Sequence, residues 1–460
     1  MKKKSNQIPE AIKPIWKAVA FVQLCNGLAF GLYIYTYGPW FFDHFGGEAN
    51  AATAMMLTSI LLGVRQGGVA VLEAPTGAIA DAIGRVHAIS WSWFFRVFFF
   101  VGLAALHLCS SVSIAFVWSV LASIAYAIAY TFYSGALSAW VVDSCKRADP
   151  NYQYGVILSK GHSIMLWGTF AGAILGMCFF LQGITHVAYI IGAMISSIAM
   201  SYCLKEMPET PGMGFLGLSG TLTASLRRMG EILGTGAMLV KKLPALAALI
   251  FVYAATLFLI NVVNYFWPLA VRTELGVTER QYLWLWFLSI LCLIQIFGAR
   301  VMLALLSRAK HLPIPQQRVT LRRWLVSLCL ISGTSVVGLA WNNYTGHSSF
   351  IGVMSVVLIV SLTYGFLVPC FETLVNHYIP EEYATSRATI LSFGSLMRSA
   401  MMLILAVPSG GHSSSTTTRG WLVPAFMVLF SALVARFVLK RTERRTAIVD
   451  DVSTNTEVPT

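Results

Sequence analysis

Residues 21–42 read FVQLCNGLAFGLYIYTYGPWFF, a run of 22 residues without one charge. As a helix it would span roughly 33 Å, enough to cross a hydrocarbon core of about 30 Å. Similar apolar windows lie at 53–79, 88–107, 112–142, 155–182, 185–205, 246–271, 282–306, 323–342, 349–376, 387–408 and 421–439, with the first at 17–42. Inside a bilayer every backbone amide must be satisfied within the protein, so only helices and closed barrels cross it. Runs of this length select helices, because a barrel strand needs only about ten residues of alternating pattern. The chain carries 11% charged residues, where soluble domains carry about 25%, too few to cover a soluble surface. The prediction is an all-α polytopic membrane protein with twelve transmembrane helices in two six-helix pseudo-symmetric bundles.

The parts follow from the polar segments. Residues 1–16 form a basic leader, 17–205 the first six-helix bundle, 206–245 a polar central loop, 246–440 the second bundle, and 441–460 a polar tail expected to be disordered. With a cytoplasmic N-terminus, the cytoplasmic connections hold Arg85, Lys146, Arg147, Arg227, Arg228, Lys241, Lys242, Arg308, Lys310, Arg318, Arg322, Arg323 and Arg387. The outer connections hold only Arg272, Arg280 and Arg419. This positive-inside bias places both termini in the cytoplasm and accounts for most of the net charge of +13 without a nucleic-acid partner. The eight cysteines lie mostly in apolar runs with no CxxC pairing, as packed free thiols do. VILSKG at 156–161 and TILSFG at 389–394 share four of six residues at an offset of 233. YGPW at 37–40 and YFWP at 265–268 fall near the same offset, consistent with a six-plus-six duplication. Parallel repeats of this size are a transporter architecture, with the substrate near the midplane between the halves.

EAPTGAIADAIGR, residues 73–85, sets ionisable groups around a helix-breaking Pro-Thr-Gly. Gly77, Asp81, Gly84 and Arg85 resemble the loop motif between the second and third spans of the major facilitator superfamily, and Glu73, Pro75 and Gly77 resemble the lead-in of its bacterial members. SGALSAWVVDS at 134–144 resembles another segment of those members. The resemblance implies a secondary transporter in a bacterial inner membrane, a monomer with no cofactor, working by rocker-switch alternating access. It also implies a gating loop in which Asp81 sits near the positive N-terminal end of a neighbouring helix and Arg85 pairs with a carboxylate such as Asp143. Three departures bear on direction and coupling. The fourth span lacks the arginine of proton-coupled exporters, Ala173 stands where exporters have a proline, and 298–308 has no aspartate to match Asp81.

Arg65, Glu73, Arg96, Lys160, Arg300, Glu372 and Arg398 fall within predicted spans. A central arginine costs ~2.5–3.5 kcal/mol on insertion scales, so such groups pair or face a wet cavity. Arg65 and Arg398 favour an anionic or zwitterionic small-molecule substrate. Glu372, with Glu73 behind it, is the candidate to carry a coupling proton, since burial raises a carboxyl pKa. Asn26, Tyr33, Tyr130, Asn261, Asn264, Tyr265 and Asn376 complete the cavity candidates, together with Gln23, Tyr37, Tyr126, Trp267 and Tyr364. Gly168, Gly172 and Gly176 have the spacing of close helix packing. The expected activity is export of a small organic solute. The alternative is uptake of an anionic nutrient or metal chelate, and the alternative of another class is a transport-inactive scaffold or sensor. An enzyme is not expected: the nine histidines are scattered without an HExxH, no metal-ligand set appears, and no GxxxxGK[ST] loop supports nucleotide-driven pumping.

Overall fold

The computed structural model describes residues 8–149, 155–209, 241–275, 281–309, 312–345, 350–378 and 420–455, with single positions between 227 and 238 and between 396 and 401. These residues are helices and short connections, with no strand among them. Ten helices among them are long and apolar enough to cross a membrane. The sequence window at 387–408 lies almost wholly outside the described residues.

The helices are α1 (Lys13–Ile34), α2 (Tyr37–His44), α3 (Ala51–Ile83), α4 (Arg85–Ala105), α5 (Val112–Ala148), α6 (Gly155–Leu181), α7 (Thr185–Glu206), α8 (Pro244–Leu275), α9 (Gln281–Ala309), α10 (Ile314–Tyr344), α11 (Phe350–Tyr378) and α12 (Leu422–Asn455). They fall into two compact units, one of residues 1–230 and 278–292, the other of residues 231–277 and 293–460. All eight cysteines are free thiols.

Proline and glycine explain where helices break. The first span is split, with α1 ending at Ile34 and α2 starting at Tyr37. Pro39 has no N–H to give the carbonyl of Tyr35, and its ring crowds that carbonyl. The Thr36 hydroxyl occupies the gap, bonding to the Leu32 carbonyl at 3.1 Å and pairing with the Tyr189 hydroxyl at 3.1 Å. Pro-Thr-Gly, by contrast, does not break its helix: α3 runs through Pro75 to Ile83. The Thr76 hydroxyl donates to the Leu72 carbonyl at 2.7 Å and holds the turn together. The motif expected as a loop is therefore mostly helix. α3 passes to α4 through Gly84 alone, at φ 100° and ψ 157°, a conformation open only to glycine.

The core of the first unit is built on backbone contact between α1 and α6. A methyl group on Gly27 would lie 2.1 Å from the Met165 carbonyl oxygen, and one on Gly31 2.3 Å from that of Thr169. From the other side, Gly172 and Gly176 would place theirs 2.2 and 2.4 Å from the carbonyl oxygens of Leu28 and Leu32. No side chain fits, so the glycine spacing read from α6 is a packing device, matched on α1 by Gly27 and Gly31. Beside it Trp93, Trp140, Cys145 and Cys203 fill a buried cluster.

In the second unit α12 runs as helix from Leu422 to Asn455. Glu443 ties it to its neighbours: its carboxylate meets Arg322 of α10 at 3.1 Å and accepts the Tyr378 hydroxyl at 2.8 Å.

Candidate functional site

Arg65 lies in the middle of α3 and is 3% exposed. Its guanidinium carbon sits 4.3 Å from the ring centre of Tyr126 on α5, 5.3 Å from that of Tyr37 at the start of α2, and 5.9 Å from that of Tyr33 on α1. Three elements thus build a box of negative ring faces around one cation, an arrangement worth about 2 kcal/mol or more once water is excluded. The rings brace one another. Tyr33 meets Tyr126 edge-on at 5.7 Å and Phe99 of α4 at 5.0 Å, and Tyr37 shares a hydrogen bond with Ser123 at 3.3 Å. Ring faces orient the guanidinium and hold it in an apolar place.

A second buried arginine also faces α1 and α5. Arg96 of α4 donates to the Asn26 side-chain carbonyl at 2.5 Å and stands over Trp93 at 4.6 Å and Tyr133 at 4.9 Å. Gln23 of α1 joins this layer, accepting from the Tyr133 hydroxyl at 3.3 Å and from the Asn26 amide at 3.4 Å. α5 connects the layers. Tyr126, Tyr130 and Tyr133 follow at helical spacing, with Tyr126 and Tyr130 stacked at 6.1 Å, so one ladder of rings serves both cations. Asn26, Tyr33, Arg65 and Tyr130 from the sequence reading therefore converge. Trp93, Tyr133 and Phe99 were missed. The i, i+4, i+7 run of tyrosines on α5 could have revealed Tyr133.

Asn261 returns its amide to the Leu257 carbonyl one turn back at 2.7 Å, as an amide in lipid does when it satisfies itself locally. Asn264 presents a buried carbonyl oxygen with no hydrogen-bond partner among the described residues, and Tyr265 and Trp267 are buried. The side chains of Glu372 and Asn376 on α11, and Arg398 altogether, lie outside the described residues.

At the basic end of the first unit the motif is partly visible. Glu73 is half-buried on α3, and the side chain of Asp81 is outside the described residues. A methyl on Gly77 would meet nothing within 4 Å among the described residues. Arg85 opens α4 and Asp143 is exposed on α5. The described contacts contain no ion pair between them, and Arg147 donates instead to the Asp143 carbonyl at 3.3 Å. The acid found at the N-terminus of α4 is Glu209, which the sequence reading did not single out. Its carboxylate accepts from the backbone N–H of Val86 at 3.1 Å and of His87 at 3.0 Å, and meets the His87 ring at 2.6 Å. Anions are favoured at such helix ends. Beside it, the Trp140 indole donates to the Pro208 carbonyl at 2.9 Å, tying down the chain that leaves α7.

Known proteins agree with this architecture. A family model described as Major Facilitator Superfamily matches residues 19–406. A D-xylose-proton symporter superposes with a TM-score of 0.65 at 14% identity, covering 93% of this chain and 97% of its own. A POT family transporter in complex with a thioalcohol-conjugated peptide gives 0.68 at 13%, covering 93% and 96%. The human organic anion transporter MFSD10 (TETRAN) gives 0.57 at 17%, covering 93% and 100%. At these identities the likeness is one of fold. No curated protein matches the sequence.

Proposed function

The chain belongs to the Major Facilitator Superfamily, and from that premise we propose that it is a secondary active transporter of small organic solutes bearing an anionic group, working by alternating access. One observation carries the substrate class: the buried Arg65 guanidinium, boxed by Tyr33, Tyr37 and Tyr126. A guanidinium in an apolar surround attracts a carboxylate or other anion far more strongly than it would in water. The tyrosine rings offer stacking surface for the organic part of the solute. Arg96 sets a second positive layer against α1 and α5, which extends the field an anion would meet.

Energy coupling is assigned to protons, with Glu372 on α11 as the carrier and Glu73 on α3 as the second candidate. Gating is assigned to Gly77, Asp81, Gly84, Arg85 and Asp143 at the cytoplasmic end of a bacterial inner-membrane protein. Export is the proposed direction, on the resemblance of residues 73–85 and 134–144 to efflux members.

The test is flux into and out of proteoliposomes under imposed proton gradients, with anionic, zwitterionic and cationic organic solutes. Anionic or zwitterionic flux should follow the gradient. Arg65→Leu should lower its kcat/KM on the order of a hundredfold, Arg65→Lys less, and Glu372→Gln should uncouple it from the gradient. Preference for cations, or Arg65 variants with wild-type flux, would overturn the substrate class. Gradient-independent flux would overturn proton coupling alone.

A further inference from the structure

The second unit carries a basic groove that the transport reading does not use. It lies between α10 and α12, encloses about 350 Å³, and is lined by Arg322, Arg323, Val326, Ser327, Leu330, Arg436 and Lys440. We propose that this groove binds the headgroup of an anionic membrane phospholipid.

Sequence spacing makes the groove amphipathic along its length. On α10 the lining residues fall at i, i+1, i+4, i+5 and i+8, one face over about 12 Å. On α12, Arg436 and Lys440 are one turn apart. The helices run antiparallel through the membrane, so Arg322 and Arg323 share a level with Lys440, at the end where the chain gathers its positive charge. Val326 and Leu330 lie toward the middle of the span, where Ile331 and Leu433 are exposed, with Arg436 and the exposed Phe437 about level with Val326. Cations at the water end and alkyl groups toward the bilayer centre match the polarity of a phospholipid. A soluble anion would have no use for the apolar half.

The belt residues of α10 place the groove at the membrane surface. Trp324 is exposed at one end of the span, and Trp341 and Tyr344 at the other. Seventeen residues separate the tryptophans, about 26 Å at 1.5 Å each, close to a hydrocarbon thickness between two aromatic belts. Arg322 and Arg323 then sit at headgroup level.

Among the described residues, one acid offsets part of this charge. Arg322 is buried, paired with Glu443 at 3.1 Å and directed at the Arg436 carbonyl at 3.5 Å, so it forms the floor of the groove. Arg323, Arg436 and Lys440 are exposed, and Glu443 is the one acid in a described ion pair with this set. Basic pockets between transmembrane helices on the cytoplasmic side are suited to acidic headgroups, and each basic side chain near the surface contributes about fivefold in affinity.

The experiment uses the full-length protein, delipidated in detergent and titrated with phosphatidylglycerol, with phosphatidylcholine, and with inorganic phosphate, reading bound lipid by native mass spectrometry and thermal stability. Wild type should retain phosphatidylglycerol and gain stability from it, but not from phosphatidylcholine. The triple variant Arg323→Gln, Arg436→Gln, Lys440→Gln should lose that affinity on the order of a hundredfold. Lys205→Gln, Lys241→Gln, Lys242→Gln removes as much charge from the same end and should leave it unchanged. A photoactivatable phosphatidylglycerol on wild-type protein should label α10 and α12, which keeps the test open if the triple variant fails to fold. Equal loss in both triple variants, labelling elsewhere, or displacement of the lipid by millimolar phosphate would overturn the proposal.

Discussion

Replacing Gly172 with alanine puts one methyl group where the structure has no room for it. The new carbon would lie 2.2 Å from the carbonyl oxygen of Leu28 and 3.0 Å from its carbonyl carbon and Cα. Carbon and oxygen approach no closer than about 3.3 Å even in a weak CH···O contact, so α1 must retreat by roughly 1 Å. The obstacle is backbone and cannot rotate aside as a side chain would. Alanine recovers about 0.8–1.0 kcal/mol of helix propensity, but overpacking a close-packed interface costs about 1–3 kcal/mol. The retreat also opens the neighbouring contacts at Gly27, Gly31 and Gly176. A net loss of about 2 kcal/mol is expected, lowering the melting temperature in detergent by roughly 2–4 °C on the scale of soluble domains. Gly338 on α10 is the control, because a methyl there meets nothing within 4 Å, and Gly338→Ala should hold or raise stability. Since α1 also carries Asn26 and Tyr33, anion transport should fall with Gly172→Ala. If that variant melts at or above wild type, α1 and α6 do not meet backbone to backbone and the argument fails.

Other consequences can be measured independently. Tyr126→Phe keeps the ring 4.3 Å from Arg65 and should preserve transport, whereas Tyr126→Leu, losing about 2 kcal/mol of cation–π attraction, should reduce it more than tenfold without lowering expression. Asn26→Ala removes the acceptor held by the buried Arg96 and should destabilise the protein by about 1.5–3 kcal/mol, seen as earlier thermal unfolding; an unchanged midpoint would show that Arg96 finds another acceptor. Glu209→Gln weakens the charged cap on α4 by about 0.3–1 kcal/mol, and faster amide exchange at Val86 and His87 should report it. Gly77→Ala should leave the melting temperature intact, so any drop in its flux would belong to motion and not to packing.

The spans were legible because a run such as 21–42 admits only one structure in a bilayer, and the glycines of α6 because close helix approach has a fixed spacing. Helix breaks were less so. Pro39 and Pro75 look alike in sequence, yet one interrupts a span and α3 continues through the other. Arg65 could be singled out as a costly charge, but not its partners, because Tyr33, Tyr37 and Tyr126 are far apart in the chain. Glu209 was hidden for the same reason: its role depends on α4 starting beside the end of α7, which no local pattern states.

Gly84 has a consequence for how the chain enters the membrane. With one residue between them, α3 and α4 have no slack to insert separately, and they cross as a hairpin. Tyr126 is then synthesised 61 residues after Arg65, roughly 3–12 s later at 5–20 residues per second. During that interval Tyr33 and Tyr37, already synthesised, are its only partners from the box. The order of the chain thus supplies a temporary shelter for the charge first and its closest ring last.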